Sequence, residues 1–216
     1  FISDDRGKIK VMTNLNHDQV RKAALIIIGS EILSGRTQDT NTHWIAEKLN
    51  ERGILLDEVR IVPDRHEVII DTVRALSNRM DYVLTTGGIG PTHDDITAEC
   101  IARAFEVNVE RNAQARDRLT DYYGEENLSD ARLKMARMPE GASLVENPVT
   151  GAPGFRMGNV YALAGVPRIM QAMLNNVLDE LKAGQPIISN TISCSLRESE
   201  VAPELETLQE SYDNVD

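Results

Sequence analysis

The sequence predicts an α/β fold of three layers, in which a mainly parallel β-sheet lies between helices. Two observations predict this fold. Residues 23–28 form a continuous apolar run without polar alternation, which is typical of a strand that is covered on both faces. Strands and helices then alternate at a spacing of about 25–35 residues, which favours right-handed βαβ crossovers and a parallel sheet.

The first strand and helix are followed by a second strand. After the strand at 23–28, apolar residues at helical spacing predict a helix over about 40–52, and Gly53 is expected to end it. Residues 55–62 predict the second strand.

The next helix and strand lead into a glycine-rich segment. Residues 64–67 have the pattern of a capping box, which predicts a helix that extends to about Met80. Residues 82–85 predict a third buried strand, and this strand runs directly into glycines.

The second half of the chain is more helical. A long helical stretch is expected over about 94–138, with breaks near Asn108 and Gly124. Turns rich in glycine and proline follow, around short strands that include 159–163. One more helix is expected over about 165–182.

The two ends of the chain differ from its centre. Residues 1–20 are polar and aperiodic and predict a poorly structured leader, so the main domain is assigned to 21–184. Residues 185–216 predict a partial small α/β segment, with a strand at 187–195 and a short helix at 203–212.

Composition excludes several classes of protein. The 216 residues include 23 basic and 34 acidic side chains, a net charge of −11, which argues against nucleic acid and anionic membrane as partners. No apolar run approaches the roughly 20 residues that cross a bilayer. Cys100 and Cys194 have no CxxC partner, so two buried thiols in a reducing compartment are expected, and a cytoplasmic location is predicted.

The loop after the first strand carries oxygen donors. Glu31, Asp39 and Asn41 offer the oxygen ligands that a hard cation such as Mg²⁺ accepts. A simpler interpretation is that Asp39 or Thr40 only caps the following helix, while Glu31 is solvated. Both interpretations stay open at this point.

The loop after the third strand combines glycines with carboxylates. Gly87, Gly88 and Gly90 allow close approach of the backbone to a ligand, and the helix expected from Asp94 aims its N–H groups at the same place. We expect one of the adjacent residues Asp94 and Asp95 to cap the helix and the other to face a ligand or a metal.

Four ordered blocks of sequence carry a resemblance to a known family. The string GSEILSGRTQDTN resembles the G-T-E-L-L-x-G-x-x-x-D-T-N segment of CinA-type proteins, and TTGGIGPTHDDIT resembles their TTGGLGPTxDDxT. The stretches MPEGASLVENPVTGAPGF and LAGVPRIMQAM agree as well. The chain therefore resembles the molybdopterin-binding-like domain of CinA-type proteins, which is related to the MogA and MoaB proteins. The resemblance implies their three-layer fold and a linking domain that begins near residue 185.

The resemblance also implies a set of site residues. Those implied to bind ligand or phosphate are Gly29, Thr86, Gly87, Gly88, Gly90, Thr97, Lys134, Gly154 and Gly165. Those implied to bind metal are Glu31, Asp39, Asp94 and Asp95, and those implied to act in catalysis are Asp64 and Asp95.

Three functions are compatible with these residues. The first is a pyrophosphatase dependent on Mg²⁺ or another divalent cation, acting on a nucleotide diphosphate such as ADP-ribose or FAD. The second is a pterin- or nucleotide-binding module without chemistry. The third is a molybdopterin adenylyltransferase, against which Ile89 counts, because MogA-like enzymes have GGTG at that point. The resemblance also implies a homo-oligomer.

Overall fold

The computed structural model describes residues 2–3, 9–10, 20–184 and 198–211. The chain divides into two compact units, of which one is Phe1–Val20 together with Ile188–Asp216 and the other is Arg21–Ile187. In the first unit, strand β1 (Ile2–Ser3) pairs antiparallel with strand β2 (Ile9–Lys10). The other residues of the predicted leader that precede Val20 lie outside the described part of the chain.

The second unit contains the predicted alternation of strands and helices. Its elements in chain order are β3 (Arg21–Ile28), α1 (Ser30–Leu33), α2 (Asn41–Glu51), β4 (Ile54–Val62), α3 (His66–Ser77), β5 (Tyr82–Thr86), α4 (Thr97–Ala104), β6 (Val109–Arg111), α5 (Ala113–Tyr123), a 3₁₀ helix (Glu125–Asn127), α6 (Asp130–Lys134), β7 (Arg137–Pro139), β8 (Ser143–Val145), β9 (Gly154–Met157), β10 (Val160–Leu163) and α7 (Pro167–Leu178).

A six-stranded sheet in the order β4-β3-β5-β10-β9-β8 forms the centre of this unit. The four strands from β4 to β10 are parallel, and β9 and β8 continue the sheet antiparallel. The predicted three-layer α/β fold with a mainly parallel sheet is therefore confirmed. Within the described residues no helix is long and apolar enough to cross a membrane.

The two faces of the sheet bury separate apolar cores. Side chains of β3 alternate between them, because successive residues of a strand point to opposite faces. Leu25 packs on one side, with Ile45 of α2 and Leu174 of α7. Ile26 packs on the other, with Val73 of α3. Burial of β3 on both faces explains its continuous apolar run.

The stretch 94–138 is less helical than its sequence predicts. Two strands of three residues, β6 and β7, pair antiparallel in a small second sheet that the helical prediction missed. Strands of that length carry too few residues for a period of two to be recognised. The predicted break at Gly124 is confirmed, since α5 ends at Tyr123 and Gly124 has φ +81°.

Two predicted helix starts are wrong. The segment 64–67 is not a capping box, because the N-cap of α3 is Arg65 and no side chain caps it. Helix α4 begins at Thr97 rather than near Asp94, so both aspartates lie in the loop that precedes it. The carboxylates of Asp64 and Asp95 therefore make contacts other than the predicted helix caps.

Helix α8 (Glu198–Glu210) belongs to the first unit and begins earlier than the predicted 203–212. Pro203 lies inside it. The predicted strand at 187–195 lies outside the described residues.

Cys100 should be inert toward alkylation in the folded protein. Its thiol is fully buried, and desolvation raises its pKa to about 12. Because the thiolate is the nucleophile, we expect native Cys100 to react with iodoacetamide at pH 8 about 1,000-fold more slowly than in urea. Peptide mass spectrometry would measure both rates. Native labelling at the rate of an exposed thiol would contradict the burial.

Candidate functional site

A cavity of about 630 Å³ opens at the carboxyl ends of the central parallel strands. The residues that end or follow β3, β5 and β10 line it, namely Ile28, Gly87 and Ala164. This is the edge at which open parallel sheets bind ligands, because loops and helix N-termini converge there.

Two glycines of the loop after β5 lie too close to neighbouring atoms to carry a side chain. Gly87 has φ +95°, and a Cβ there would lie 2.2 Å from the carbonyl oxygen of Ile28. Gly88 has φ +68°, and a Cβ there would lie 2.2 Å from Oγ1 of Thr97. Thr97 donates its hydroxyl to the carbonyl of Gly87 at 3.0 Å, and its N–H to that of Gly88 at 3.0 Å. The backbone of this loop therefore forms a wall of the cavity.

Asp95 holds the far end of the same loop. Its Oδ2 accepts hydrogen bonds from the amide of Thr92 at 2.7 Å and from the hydroxyl of Thr92 at 2.5 Å. Lys134 donates its ammonium to the carbonyl of Thr92. Asp95 and Lys134 thus fix Thr92 from both sides, and among the described residues Oδ1 of Asp95 has no hydrogen-bond partner.

Asp94 lines the cavity beside Asp95 and is exposed. Hydrogen bonding to Thr92 and to its own backbone amide lowers its pKa, as do the charges of His93 and Lys134. The Asp94 carboxylate is therefore ionised and open to solvent at neutral pH.

Asp64 joins two loops at the cavity. Its Oδ2 accepts a hydrogen bond from the amide of Ser30 at 2.8 Å, and its own amide donates to Oγ of Ser30 at 3.4 Å. These bonds connect the loop after β4 to the start of α1. Glu31 is the second residue of that helix. Asp64 and Glu31 both line the cavity.

Asp39 stands apart from the other carboxylates. Its Oδ1 accepts hydrogen bonds from the amides of Asn41 at 2.9 Å and Thr42 at 3.3 Å, at the start of α2. Asp39 does not line the cavity, so the capping alternative describes its contacts, and the predicted metal set of Glu31, Asp39, Asp94 and Asp95 is not brought together. In the described part of the chain, no three His, Cys, Asp or Glu side chains converge as a preformed metal site.

Besides Thr97, three of the predicted ligand-binding residues are buried beside the cavity rather than lining it. Thr86 is the last residue of β5, and its Oγ1 has no hydrogen-bond partner among the described residues. Gly154 lies in β9, where a Cβ would meet the carbonyl oxygen of Ala162 at 2.2 Å. Gly29 donates its amide to Val62 at 3.1 Å. These three residues position the walls.

Gly165 does line the cavity, and α2 holds it there. Asn41 donates its side-chain amide to the carbonyl of Gly165 at 2.9 Å. This bond connects the N-terminus of α2 to the loop that precedes α7. The loop before α2 therefore supports the cavity, although its residue Asp39 does not line it.

Charges around the cavity are unequal. Four carboxylates line it, those of Glu31, Asp64, Asp94 and Asp95, against one cationic side chain, Arg132. Lys134 instead lines a smaller adjoining cleft, of about 50 Å³, which shares Gly88, Gly90 and Asp95 with the main cavity.

Sequence reasoning missed the residues that close the cavity from the side of α5 and α6. Tyr123, Arg132 and Asn147 line it. Asn147 is the only one with a recognisable signal, because its Oδ1 accepts from the amides of Val149 and Thr150 in a local turn. Tyr123 and Arg132 carry no comparable local pattern.

The sequence of this chain is similar to those of known proteins. Residues 24–183 match the family described as "Probable molybdopterin binding domain". A protein of Archaeoglobus fulgidus is 37% identical over 74% of this chain and 69% of its own length. A protein of Pyrobaculum arsenaticum is 36% identical over 84% of this chain and 72% of its own length.

Solved structures agree with the family match. The protein CinA from Thermoplasma acidophilum, described as of unknown function, superimposes with a TM-score of 0.70 at 34% identity, over 75% of this chain and 98% of that one. The molybdopterin biosynthesis enzyme MoaB from Thermus thermophilus gives 0.50 at 22% identity, over 74% and 91%, which shows a shared fold. The chain therefore belongs to the molybdopterin-binding domain family, and within it to the CinA-like type.

Proposed function

We propose that the cavity is the active site of a divalent-metal-dependent pyrophosphatase that acts on a nucleotide diphosphate of the ADP-ribose or FAD type. One observation carries the proposal. A glycine loop that exposes its backbone and four carboxylates line the same cavity. Backbone N–H groups suit phosphate oxygens, and carboxylates suit metal and water.

The charge balance of the cavity supports dependence on a cation. A diphosphate would enter a site with four carboxylates and one arginine, where repulsion opposes binding unless a cation compensates it. Mg²⁺ is usually held by one or two carboxylates together with substrate phosphates. Asp94 and Asp95, with Glu31 as a further donor, are the residues that would hold it. When bound, such an ion neutralises phosphate charge and promotes ionisation of water.

The chain's own residues would divide the remaining tasks. The amides of Gly88, Ile89 and Gly90 would orient the phosphates, whereas the Gly87 amide already donates to the carbonyl of Leu163. A water molecule attacks one phosphorus, the bond from that phosphorus to the bridging oxygen breaks, and two phosphate monoesters result. Asp64 accepts the proton of the water through Oδ1, the oxygen that does not bind the Ser30 amide.

The proposal is tested by incubating the purified protein with ADP-ribose, FAD and NAD. Each reaction contains Mg²⁺, Mn²⁺ or Co²⁺, or EDTA, and AMP is followed by chromatography. We expect AMP to appear with at least one metal and to disappear with EDTA. If no substrate yields AMP with any of the metals, the proposed activity is wrong.

A second candidate is a binding module without chemistry, for a pterin or a nucleotide. The apolar part of the cavity favours it, because Ile28, Ile89 and Ile169 offer surfaces that suit a planar ring. Such a module needs no carboxylates, so its affinity should survive EDTA and Asp→Asn substitutions. The homo-oligomer implied by the resemblance stays a prediction.

A further inference from the structure

We propose that Arg132 is the phosphate-recognition residue of the cavity, held in place by Tyr123. The proposal deepens the function proposed above and rests on it for the class of ligand, a phosphate or diphosphate ester. Its test measures binding, so it does not depend on turnover.

Arg132 differs in its partners from the other cations of α5 and α6. Arg116 and Arg118, on α5, pair with Glu125 at 2.9 Å and with Glu146 at 2.7 Å. Lys134 is engaged by the carbonyl of Thr92. Arg132 has no carboxylate partner among the described residues, although acidic residues outnumber basic ones in this chain by 34 to 23. A half-buried guanidinium that lines the cavity and has no ion-pair partner among the described residues suits an anionic ligand.

Three contacts among Arg132, Asn127 and Tyr123 hold the guanidinium in place. Its Cζ lies 4.2 Å from the centre of the Tyr123 ring, which is a cation–π contact. Nη1 donates to the carbonyl of Asn127 at 2.6 Å, and Asn127 donates its side-chain amide to the carbonyl of Tyr123 at 2.9 Å. The described residues leave Nε and Nη2 without a partner.

This arrangement favours a phosphate over a neutral group. The Tyr123 ring and the Asn127 carbonyl restrict the side chain before any ligand binds, so little conformational entropy is lost on binding. Two unused N–H groups of one planar fork match two oxygens of a phosphate. The carboxylates of the cavity would then hold the cation, while Arg132 contacts the anion directly.

The experiment compares Arg132→Gln with Arg118→Gln, a matched control that removes an exposed arginine outside the cavity. Calorimetry with Ca²⁺ in place of Mg²⁺, under conditions in which no AMP is released, measures the binding of ADP-ribose, AMP, inorganic pyrophosphate and adenosine. We expect Arg132→Gln to weaken the three phosphate-bearing ligands by about 10- to 100-fold and to leave adenosine unchanged, because a charge-assisted hydrogen bond is lost. Arg118→Gln should bind all four as the unchanged protein does.

A second pair of variants tests the role of the aromatic ring. Tyr123→Leu should weaken the same ligands by about 2- to 10-fold, because it removes the contact that orients the guanidinium. Tyr123→Phe, which keeps the aromatic ring under the guanidinium, should have no effect.

Several results would overturn the proposal. One is unchanged phosphate affinity in folded Arg132→Gln, with folding checked by circular dichroism, and another is equal weakening of adenosine. Failure of the unchanged protein to bind any phosphate-bearing ligand would also overturn it. Tight binding of ADP-ribose, with no AMP release in Mg²⁺, Mn²⁺ or Co²⁺, would refute the pyrophosphatase and leave the role of Arg132 intact.

Discussion

Replacing Asp95 by asparagine is expected to lower kcat/KM for AMP release by about 100- to 10,000-fold, the range for loss of a group acting in the chemical step. The substitution separates the two roles of this carboxylate. The asparagine side-chain oxygen can still accept the two hydrogen bonds from Thr92, so the loop keeps its shape. The negative charge, and with it the affinity for a divalent cation, is lost.

The matched control is Asp39→Asn. Asp39 carries the same charge in a neighbouring loop, but its Oδ1 caps α2 and it lies outside the cavity. An asparagine oxygen also serves as a helix cap, so activity should change less than about 3-fold. If Asp39→Asn lowers kcat/KM more than Asp95→Asn does, the proposed metal site lies at the loop after β3 rather than at the glycine loop.

Asp95→Ala adds a test of the loop itself. Alanine removes both hydrogen bonds that Asp95 makes to Thr92, so that Thr92 keeps only its contacts with Lys134 and Asp94 among the side chains of the described residues. We therefore expect Asp95→Ala to be less stable than Asp95→Asn. Equal activity of Asp95→Asn and the unchanged protein would exclude Asp95 from the chemistry.

The sequence was sufficient to predict the mainly parallel sheet and the polar and glycine residues that follow its strands. The apolar run of β3 and the glycines after β5 are local signals whose position along a parallel sheet determines where the site lies. In the structure, Gly87, Gly88 and Asp95 line one cavity, and their roles there stay a prediction.

The choice between roles for a carboxylate could not be made from sequence. Asp39 and Asp95 both precede a helix in a loop after a strand. Asp39 caps α2. Asp95 instead accepts hydrogen bonds from Thr92, three residues earlier in the chain, and lines the cavity. The backbone conformation of each loop determines which carboxylate oxygen has no hydrogen-bond partner. The periodicity of apolar residues in the sequence does not predict that conformation.

Arg132 was missed for a different reason. It lies in α6, a helix of five residues, and approaches the cavity only because the segment between α5 and α6 brings it onto Tyr123. A contact between residues nine positions apart, through an irregular segment, has no sequence signature.

Gly87→Ala should destabilise the protein by about 2–5 kcal/mol, the sum of a left-handed backbone conformation and an overpacked contact. The contact is with backbone, since the added Cβ would lie 2.2 Å from the carbonyl oxygen of Ile28. Neither partner can withdraw easily. The ladder pairs Ile27 with Thr86, one residue before each of them, and Gly87 donates its amide to Leu163 at 3.1 Å.

Gly35→Ala is the control that separates the two costs. Gly35 has a similar left-handed conformation, with φ +71°, but a Cβ there would meet nothing within 4 Å. Its substitution should therefore cost only about 1 kcal/mol, the conformational part alone. Urea denaturation of both variants at equal m-values measures the two free energies of unfolding. If both lose the same free energy, the close approach of β3 to the glycine loop is not tight. A larger loss for Gly87→Ala shows that the close packing of β5 against β3, rather than turn geometry alone, requires glycine at this position.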